Sequence, residues 1–419
     1  MSSREIHVSI ELGDENHSVG RLWCHNRKGR ESASFEYYDS WLKHPEHFAL
    51  EPALALTAGS FHTLADQSLF GSIGDSAPDR WGRVLMRRAE GQRARAAGET
   101  MRTLGEADFL LGVNDEARQG ALRFADTPDG PFLAPKSQRT IPPLVDLPKL
   151  LSATERFLAD EENAEDLRIL LAPGSSLGGA RPKASVRDTD GHLSIAKFPR
   201  KDDDYNVVVW EAVALVLAEK AGLSVPKWRL ETVMDKPVFI IRRFDRAGER
   251  RIPFLSAMSM LQAKDNEPHS YLEIADALRQ YGAEPVADLA ELWRRIVFSI
   301  LISNTDDHLR NHGFIYERHK GWRLSPAYDM NPTPVEVKPR ILTTTIDLND
   351  GTASLDLALS VAKDFRLSPD EARAIIKEVG AGVSQWRDVA QRHGLDRREI
   401  DRMASAFEHA DAQAAGDMQ

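Results

Sequence analysis

Cysteine is almost missing from this chain: Cys24 stands alone among 419 residues. A single cysteine excludes an intramolecular disulfide framework and any zinc site built mainly from thiolates. Nothing around Cys24 marks an activated thiolate, so it reads as an ordinary small side chain. Long hydrophobic runs are lacking too. No apolar stretch approaches the roughly 18 residues that a membrane span needs, and Met1-Ser2-Ser3-Arg4-Glu5 has no apolar signal core. The expectation is a soluble, cytoplasmic protein with no membrane partner. Positive charge is also short. A net charge of −10 argues against broad nucleic-acid binding by this chain alone, because neutralising phosphates takes clustered Lys and Arg. DNA contact within a complex with a basic partner stays open. No internal repeat or low-complexity tract is evident.

What is present is enough for a sizeable core. Hydrophobic residues make up 42% of the chain, and its length suggests two or three domains. Ile6 to Ile10 reads as a strand by its period of two. Arg80 to Arg88 reads as a basic helix, with Asp75 or Ser76 available to cap its entry. The proline-rich stretch from Asp126 to Pro143 is the candidate linker.

The middle third carries a Gly/Ser loop, Gly174-Ser175-Ser176-Leu177-Gly178-Gly179-Ala180-Arg181-Pro182-Lys183, leading into a hairpin turned at Asp188-Thr189-Asp190-Gly191. In its second strand Leu193, Ile195 and Lys197 share one face. A helix over Asn206 to Ala221 is apolar nearly all round and so reads as buried. Glu211 lies on that surface, needs a partner there, and finds its obvious candidate in Lys197. Val238 to Ile241 reads as a buried strand, and helices dominate from about residue 270.

The densest chemical signal is Asn304-Thr305-Asp306-Asp307-His308-Leu309-Arg310-Asn311, followed by Asp329 beyond a small hairpin over Gly313 to Leu324. Asp306 and Asn311 are five positions apart, the spacing of a kinase catalytic loop, and Asp329 follows eighteen residues later. Asp307 competes with Asp306 for the acid–base role, but the spacing to Asn311 favours Asp306. In this order each part has a task. Backbone N–H groups of Ser176, Gly178 and Gly179, with Lys183 and Lys197, would neutralise nucleotide phosphates, and Glu211 would hold Lys197. Asn311 and Asp329 offer hard oxygen ligands for Mg²⁺. Asp306 would orient or accept the proton of the acceptor hydroxyl. His308 lies next to the site without an assigned proton-transfer role.

These residues also resemble the HipA toxins of bacterial type II toxin–antitoxin systems. The resemblance runs through Val19-Gly20-Arg21-Leu22, Ser34-Phe35-Glu36-Tyr37-Tyr38, Asp75-Ser76-Ala77-Pro78-Asp79-Arg80-Trp81-Gly82-Arg83, the Gly/Ser loop, Ala196-Lys197-Phe198-Pro199, Arg243-Phe244-Asp245-Arg246, the Asp306/Asn311 loop and Tyr328-Asp329. It implies an α+β, two-lobed protein-kinase-like fold with an N-terminal α+β subdomain and a mostly helical C-terminal lobe. The expected boundaries are 1–145, 146–246 and 247–419. It implies an ATP- and Mg²⁺-dependent serine/threonine kinase, with an aminoacyl-tRNA synthetase as the protein substrate and growth arrest as the outcome. A HipB-like helix-turn-helix antitoxin would be the partner, with DNA bound only through that complex. Ser176 matches the family's autophosphorylated loop serine. Arg242 and Phe244 fall in the hinge that would face the nucleotide; Arg242 stands where the family often has Glu. Asp329 is followed by Met330-Asn331 instead of Phe-Gly, so no eukaryotic-type activation switch is implied. A small-molecule or lipid kinase with the same site, and an idle antitoxin-binding subunit, are the alternatives.

Overall fold

The computed structural model describes residues 2–128, 130–133, 141–174 and 179–418. Packing divides the chain into two units, Met1–Asp202 with Glu231–Leu255, and Asp203–Leu230 with Ser256–Gln419. This is not the three-part division read from the sequence, and the reason lies in the first unit's core.

The first unit opens with an antiparallel sheet in the order β4-β3-β2-β1-β5, from Ser2–Leu12 (β1), Glu15–Arg27 (β2), Arg30–Tyr37 (β3), Ser60–His62 (β4) and Leu122–Ala125 (β5). Alternation puts Ile6, Val8 and Ile10 inside. The pairing of β1 with β2 slips between Val8 and Ser9, a bulge that re-aims the strand. Gly20, just past the slip, has no room for a side chain: a Cβ would stand 2.3 Å from the Glu36 carbonyl oxygen.

The second sheet runs β6-β7-β9-β8, from Lys183–Arg187 (β6), Leu193–Lys197 (β7), Trp228–Val233 (β8) and Lys236–Arg242 (β9). Ala184, Val186, Ala196, Val238 and Ile240 from these strands share one buried cluster with Trp81 and Leu85 of the helix Arg80–Ala97 and with Leu150, Phe157, Leu167 and Leu170 of the helices Leu147–Leu158 and Ala164–Gly174. The helix at 80–97 thus contributes to the core beneath the hairpin, so no boundary near 145 separates them. It extends well past Arg88, and its cap is Asp79, not Asp75 or Ser76.

Arg243-Phe244-Asp245-Arg246 strengthens that union. Arg243 donates to the Ala117 carbonyl at 2.6 Å, Arg246 to the Arg118 carbonyl at 2.6 Å, and the Gly120 N–H to Asp245 Oδ2 at 2.8 Å. Burial alone would raise the Asp245 carboxyl, but the Arg243 and Arg246 guanidinium groups hold it well below the carboxylate range. Cys24 carries no activated thiolate: burial first, then the Glu31 charge, pushes its thiol up to about 12.

The second unit is mostly helical. Val207–Lys220 is capped by Asn206 and buried nearly all round. Trp210 meets Trp386 and Phe407, which stack on each other with centroids 4.6 Å apart. Gly382 lets the helix Pro369–Val383 approach closely, since a Cβ there would lie 2.7 Å from the Ala221 nitrogen. Ser368 forms a capping box with Glu371, and Pro369 takes the first turn. The central helix is Pro285–Leu301. Among the described residues, no helix is long and apolar enough to cross a membrane.

Candidate active site

In the second unit the helix Pro285–Leu301 ends in a reversal that starts the acidic loop. Ser303 takes φ +52°, and the Ser303 and Asn304 N–H groups donate back to Ile300 at 3.3 Å and Ser299 at 2.9 Å. This is a Schellman closure with serine in the usual glycine place. Thr305 is buried, Asp306 is exposed and Asp307 is buried again, so two adjacent carboxylates meet opposite surroundings.

Asp307 is the support. Its Oδ2 accepts from Tyr271 at 2.5 Å and from Ser299 at 3.4 Å, and its Oδ1 lies 3.1 Å from His312 Nε2. Its carbonyl accepts from the Thr344 hydroxyl at 2.7 Å and the Thr344 N–H at 3.1 Å. Burial pushes the Asp307 carboxyl up, but the His312 charge and the bonds from His312 and Tyr271 outweigh it and hold it low. The Tyr271 hydroxyl is pushed well above its ordinary value by burial, then by the Asp307 charge.

Asp306 is left facing outward, with its side chain 77% exposed. Its carbonyl accepts from Asn311 Nδ2 at 3.2 Å. That bond fixes the Asn311 amide, so its Oδ1 is the atom turned away from the loop backbone. The sequence spacing of five is thereby closed into a physical ring.

The hairpin Gly313–Glu317 and Gly321–Leu324 brings Asp329 back to this loop. The Ser325 N–H donates to Gly313 at 2.8 Å, and Arg295 from the central helix holds the Ser325 carbonyl at 2.6 Å. Tyr328 Oη then donates to the Arg310 carbonyl at 2.8 Å, the Asn331 N–H to Asn304 Oδ1 at 3.2 Å, and the Thr333 N–H to Ser303 at 3.2 Å. Asp329, between these anchors, has φ +59°. A non-glycine residue in the left-handed region is disfavoured, and such residues gather at functional sites. The residues on either side of Asp329 are therefore tied to the segment 303–310, the loop that carries Asn311 at its end. An amide oxygen and one carboxylate suit Mg²⁺, which keeps waters and phosphate oxygens for its remaining positions. Among the described residues, no group of three His, Cys, Asp or Glu forms a metal cage.

In the first unit, Ser176 and Gly178 lie outside the described residues. The end of the loop is described, and a device missed by the sequence reading holds it. The Asp79 carboxylate caps the helix Arg80–Ala97 by accepting from the Arg80 N–H at 2.5 Å, and also accepts from the Gly179 N–H. The Trp81 N–H donates to the Gly179 carbonyl at 3.3 Å, and Trp81 Nε1 to the Lys183 carbonyl at 2.9 Å. Gly179 has φ +83°, a conformation that favours glycine, and a Cβ there would stand against the end of the Lys183 side chain. Lys183 itself is buried and pairs in register with Lys197 across the hairpin.

Lys197 lies on the less buried face of β7, its ammonium 5.9 Å from the Phe239 ring centroid. Glu211 is buried, as expected, and belongs to the second unit, whereas Lys197 belongs to the first. Arg242 reaches back along its own sheet, with Nη1 3.5 Å from Asp190 Oδ2 in the hairpin turn. Phe244 packs near Phe254 at 6.1 Å. His308 opens the turn Leu309–Asn311, and its N–H donates to the Asp306 carbonyl at 2.9 Å.

Sequence reasoning also missed Tyr271, His312 and Lys338. Asp79 and Trp81 stood inside the quoted Asp75–Arg83 motif, and Asp307 was weighed only as a rival to Asp306. Nothing in the sequence pattern marked Lys338.

The architecture is α+β, with strands concentrated in the first unit and helices in the second, and it matches known proteins over most of its length. The HipA structure solved with HipB and operator DNA from Shewanella oneidensis MR-1 aligns with a TM-score of 0.65 at 16% identity, covering 97% of this chain and 96% of that one. At that identity the likeness shows the fold, the α+β fold of a HipA protein that the resemblance implied. The family model described as HipA-like C-terminal domain matches residues 175–410. The chain belongs to this family. Two curated relatives are named "Putative kinase": one from Sinorhizobium fredii, 24% identical over 71% of this chain and 72% of its own length, and one from Haemophilus influenzae, 28% identical over 41% of this chain. The match spans little more than half, 56%, of the Haemophilus protein.

Proposed function

We propose that this protein is an ATP- and Mg²⁺-dependent serine/threonine protein kinase that acts as a growth-arresting toxin. The observation that carries the reading is the ring closed by Asn311 onto the Asp306 backbone, with the Asp329 segment anchored beside it. The exposed Asp306 carboxylate and the two hard oxygen donors offered by Asn311 and Asp329 support this reading. Asn311 Oδ1 and Asp329 would hold Mg²⁺, which supplies charge neutralisation to phosphate oxygens when bound. Asp306 orients the acceptor hydroxyl and takes its proton. Lys183, Lys197 and the loop around Gly179 neutralise the nucleotide phosphates. Ser176 is the autophosphorylation site that turns the enzyme off. The family's partner class, a HipB-like helix-turn-helix antitoxin, is the expected inhibitor, and DNA is reached through it, consistent with the net charge of −10. An aminoacyl-tRNA synthetase is the proposed acceptor protein.

The test is incubation of the purified protein with radiolabelled ATP, Mg²⁺ and a panel of purified aminoacyl-tRNA synthetases. One synthetase is expected to become labelled on Ser or Thr, with label also at Ser176 by mass spectrometry. Label confined to a small molecule or lipid from added lysate would refute the protein-kinase reading. Label on the protein only at other residues would refute Ser176.

A further inference from the structure

Lys338 is the cation nearest the exposed carboxylate of the acidic loop among the described ion pairs, and it is held there by that loop. The turn after Pro334, whose carbonyl accepts from the Lys338 N–H at 3.2 Å, lifts the side chain toward residues 305–306. Its Nζ donates to the buried Thr305 carbonyl at 3.0 Å and reaches the Thr343 hydroxyl at 3.5 Å. Thr343 is itself fixed, donating to the same Thr305 carbonyl at 2.9 Å. From this seat Nζ stands 3.8 Å from Asp306 Oδ1.

A purely structural ion pair explains this poorly. The two side chains are 42% and 77% exposed, and pairs so exposed add little to stability. The 3.8 Å gap is beyond hydrogen-bond range, so the third N–H of the ammonium is not used up by the carboxylate. A flexible surface lysine, by contrast, would not be tied to a buried carbonyl. The geometry therefore presents a seated positive charge beside an exposed carboxylate on a braced loop, both accessible to solvent.

We propose that Lys338 is a catalytic residue whose ammonium contacts the transferring phosphoryl group. The inference rests on the kinase reading above. In the step, the acceptor hydroxyl oxygen forms a bond to the γ-phosphorus of ATP while the bond from that phosphorus to the β,γ-bridging oxygen breaks. The electron pair of that bond leaves with ADP, and the hydroxyl proton passes to Asp306. A hydroxyl hydrogen-bonded to Asp306 brings its attacked phosphorus to about 3–3.5 Å, so a non-bridging oxygen falls within reach of Lys338. The cation then stabilises charge where it is present in the transition state, in a preformed position.

The test compares wild type with Lys338→Met, Lys338→Arg and Asp306→Asn. Losing one such donor predicts a fall in kcat of about 100-fold for Lys338→Met, with KM for ATP changed less than about twofold, the pattern of an interaction made only in the transition state. Lys338→Arg should recover part of the rate. A second readout is calorimetric: wild type should bind ADP with Mg²⁺ and aluminium fluoride, a phosphoryl-transfer mimic, more tightly than ADP with Mg²⁺. Lys338→Met should lose that difference and keep its ADP affinity. Wild-type kcat and an intact mimic preference in Lys338→Met, with Asp306→Asn inactive, would overturn the role of Lys338 alone. A wild-type protein that neither transfers phosphate nor binds ADP would overturn the kinase reading, and the inference with it. If thermal unfolding shows both Lys338 variants unfolded at 25 °C, the residue is structural and the inference is wrong.

Discussion

The acidic loop of the second unit and the glycine end of the first are supported in opposite ways. Around residues 303–312, buried groups converge from several elements: Tyr271 and Ser299 on the Asp307 carboxylate, His312 beside it, and Thr344 on its carbonyl. Around Gly179 the support comes from one short stretch, the Asp79 carboxylate and the Trp81 backbone and indole. The first arrangement fixes a single geometry, because breaking any one buried bond leaves a charged or polar group stranded. In the second, the anchoring carboxylate is only partly buried, and water can replace its bond. On the proposed function, the group that must meet a hydroxyl to within a fraction of an ångström sits on the rigid frame. On the same reading, the backbone proposed to wrap a phosphate chain sits on the adjustable one.

The comparison breaks first at Asp306. Asp306→Asn removes the exposed carboxylate and leaves the Asn311 bond, which goes to a backbone carbonyl, in place. Transfer from ATP is expected to fall about 10³-fold, with the unfolding midpoint unchanged within a degree or two. Steady-state kinetics with the labelled acceptor checks the first, and calorimetric scanning the second. A variant that retains wild-type turnover removes Asp306 from the chemistry.

Asp307→Asn probes the frame instead of the chemistry. Taking the charge from this buried carboxylate weakens the bonds it accepts from Tyr271 and Ser299, and a hydrogen bond to a charged group is worth about 1.5–3 kcal/mol. Urea unfolding at pH 7 measures this directly. The pH dependence has a defined sign. The Asp307 carboxyl is held below its ordinary value in the folded state, so its contribution is complete above the unfolded value of about 4 and is lost as pH falls further. The gap in stability between wild type and Asp307→Asn should therefore be constant at neutral pH and narrow only below about pH 4. A gap that closes already near neutral pH would mean that the Asp307 carboxylate is not the source of the effect.

Periodicity and capping chemistry made most of the elements legible. The period of two gave β1, and the all-round apolar pattern of Val207–Lys220 marked a buried helix. Spacing alone made Asp306, Asn311 and Asp329 legible as a group, and the hairpin between them was readable from its turn. What stayed hidden depends on partners far along the chain. Asp79 reaches Gly179 and Trp81 reaches Lys183 across about a hundred residues, Tyr271 reaches Asp307 across 36, and no local pattern encodes such pairs. The packing of residues 80–97 against the later hairpin was hidden for the same reason. A linker-like composition says nothing about whether Trp81 and Leu85 share a core with Val186 and Ile240.

The smallest expected effect, and the sharpest test of the contrast, is at Asp79. Its two oxygens serve two donors: Oδ1 takes the Arg80 N–H and Oδ2 the Gly179 N–H. Asparagine has one acceptor oxygen, so Asp79→Asn can keep the helix cap or the loop anchor but not both. Loss of the anchor weakens the phosphate-facing backbone by one hydrogen bond of about 1 kcal/mol, which is about a fivefold rise in KM for ATP. Because the acidic loop keeps its own frame, kcat should change less than about twofold. Asp79→Ala adds loss of the cap, about 1 kcal/mol of stability, without a further loss of kcat. A fall in kcat comparable to that of Asp306→Asn would mean that the glycine end governs the transition state as strictly as the acidic loop does, and the distinction between rigid and adjustable support would be gone.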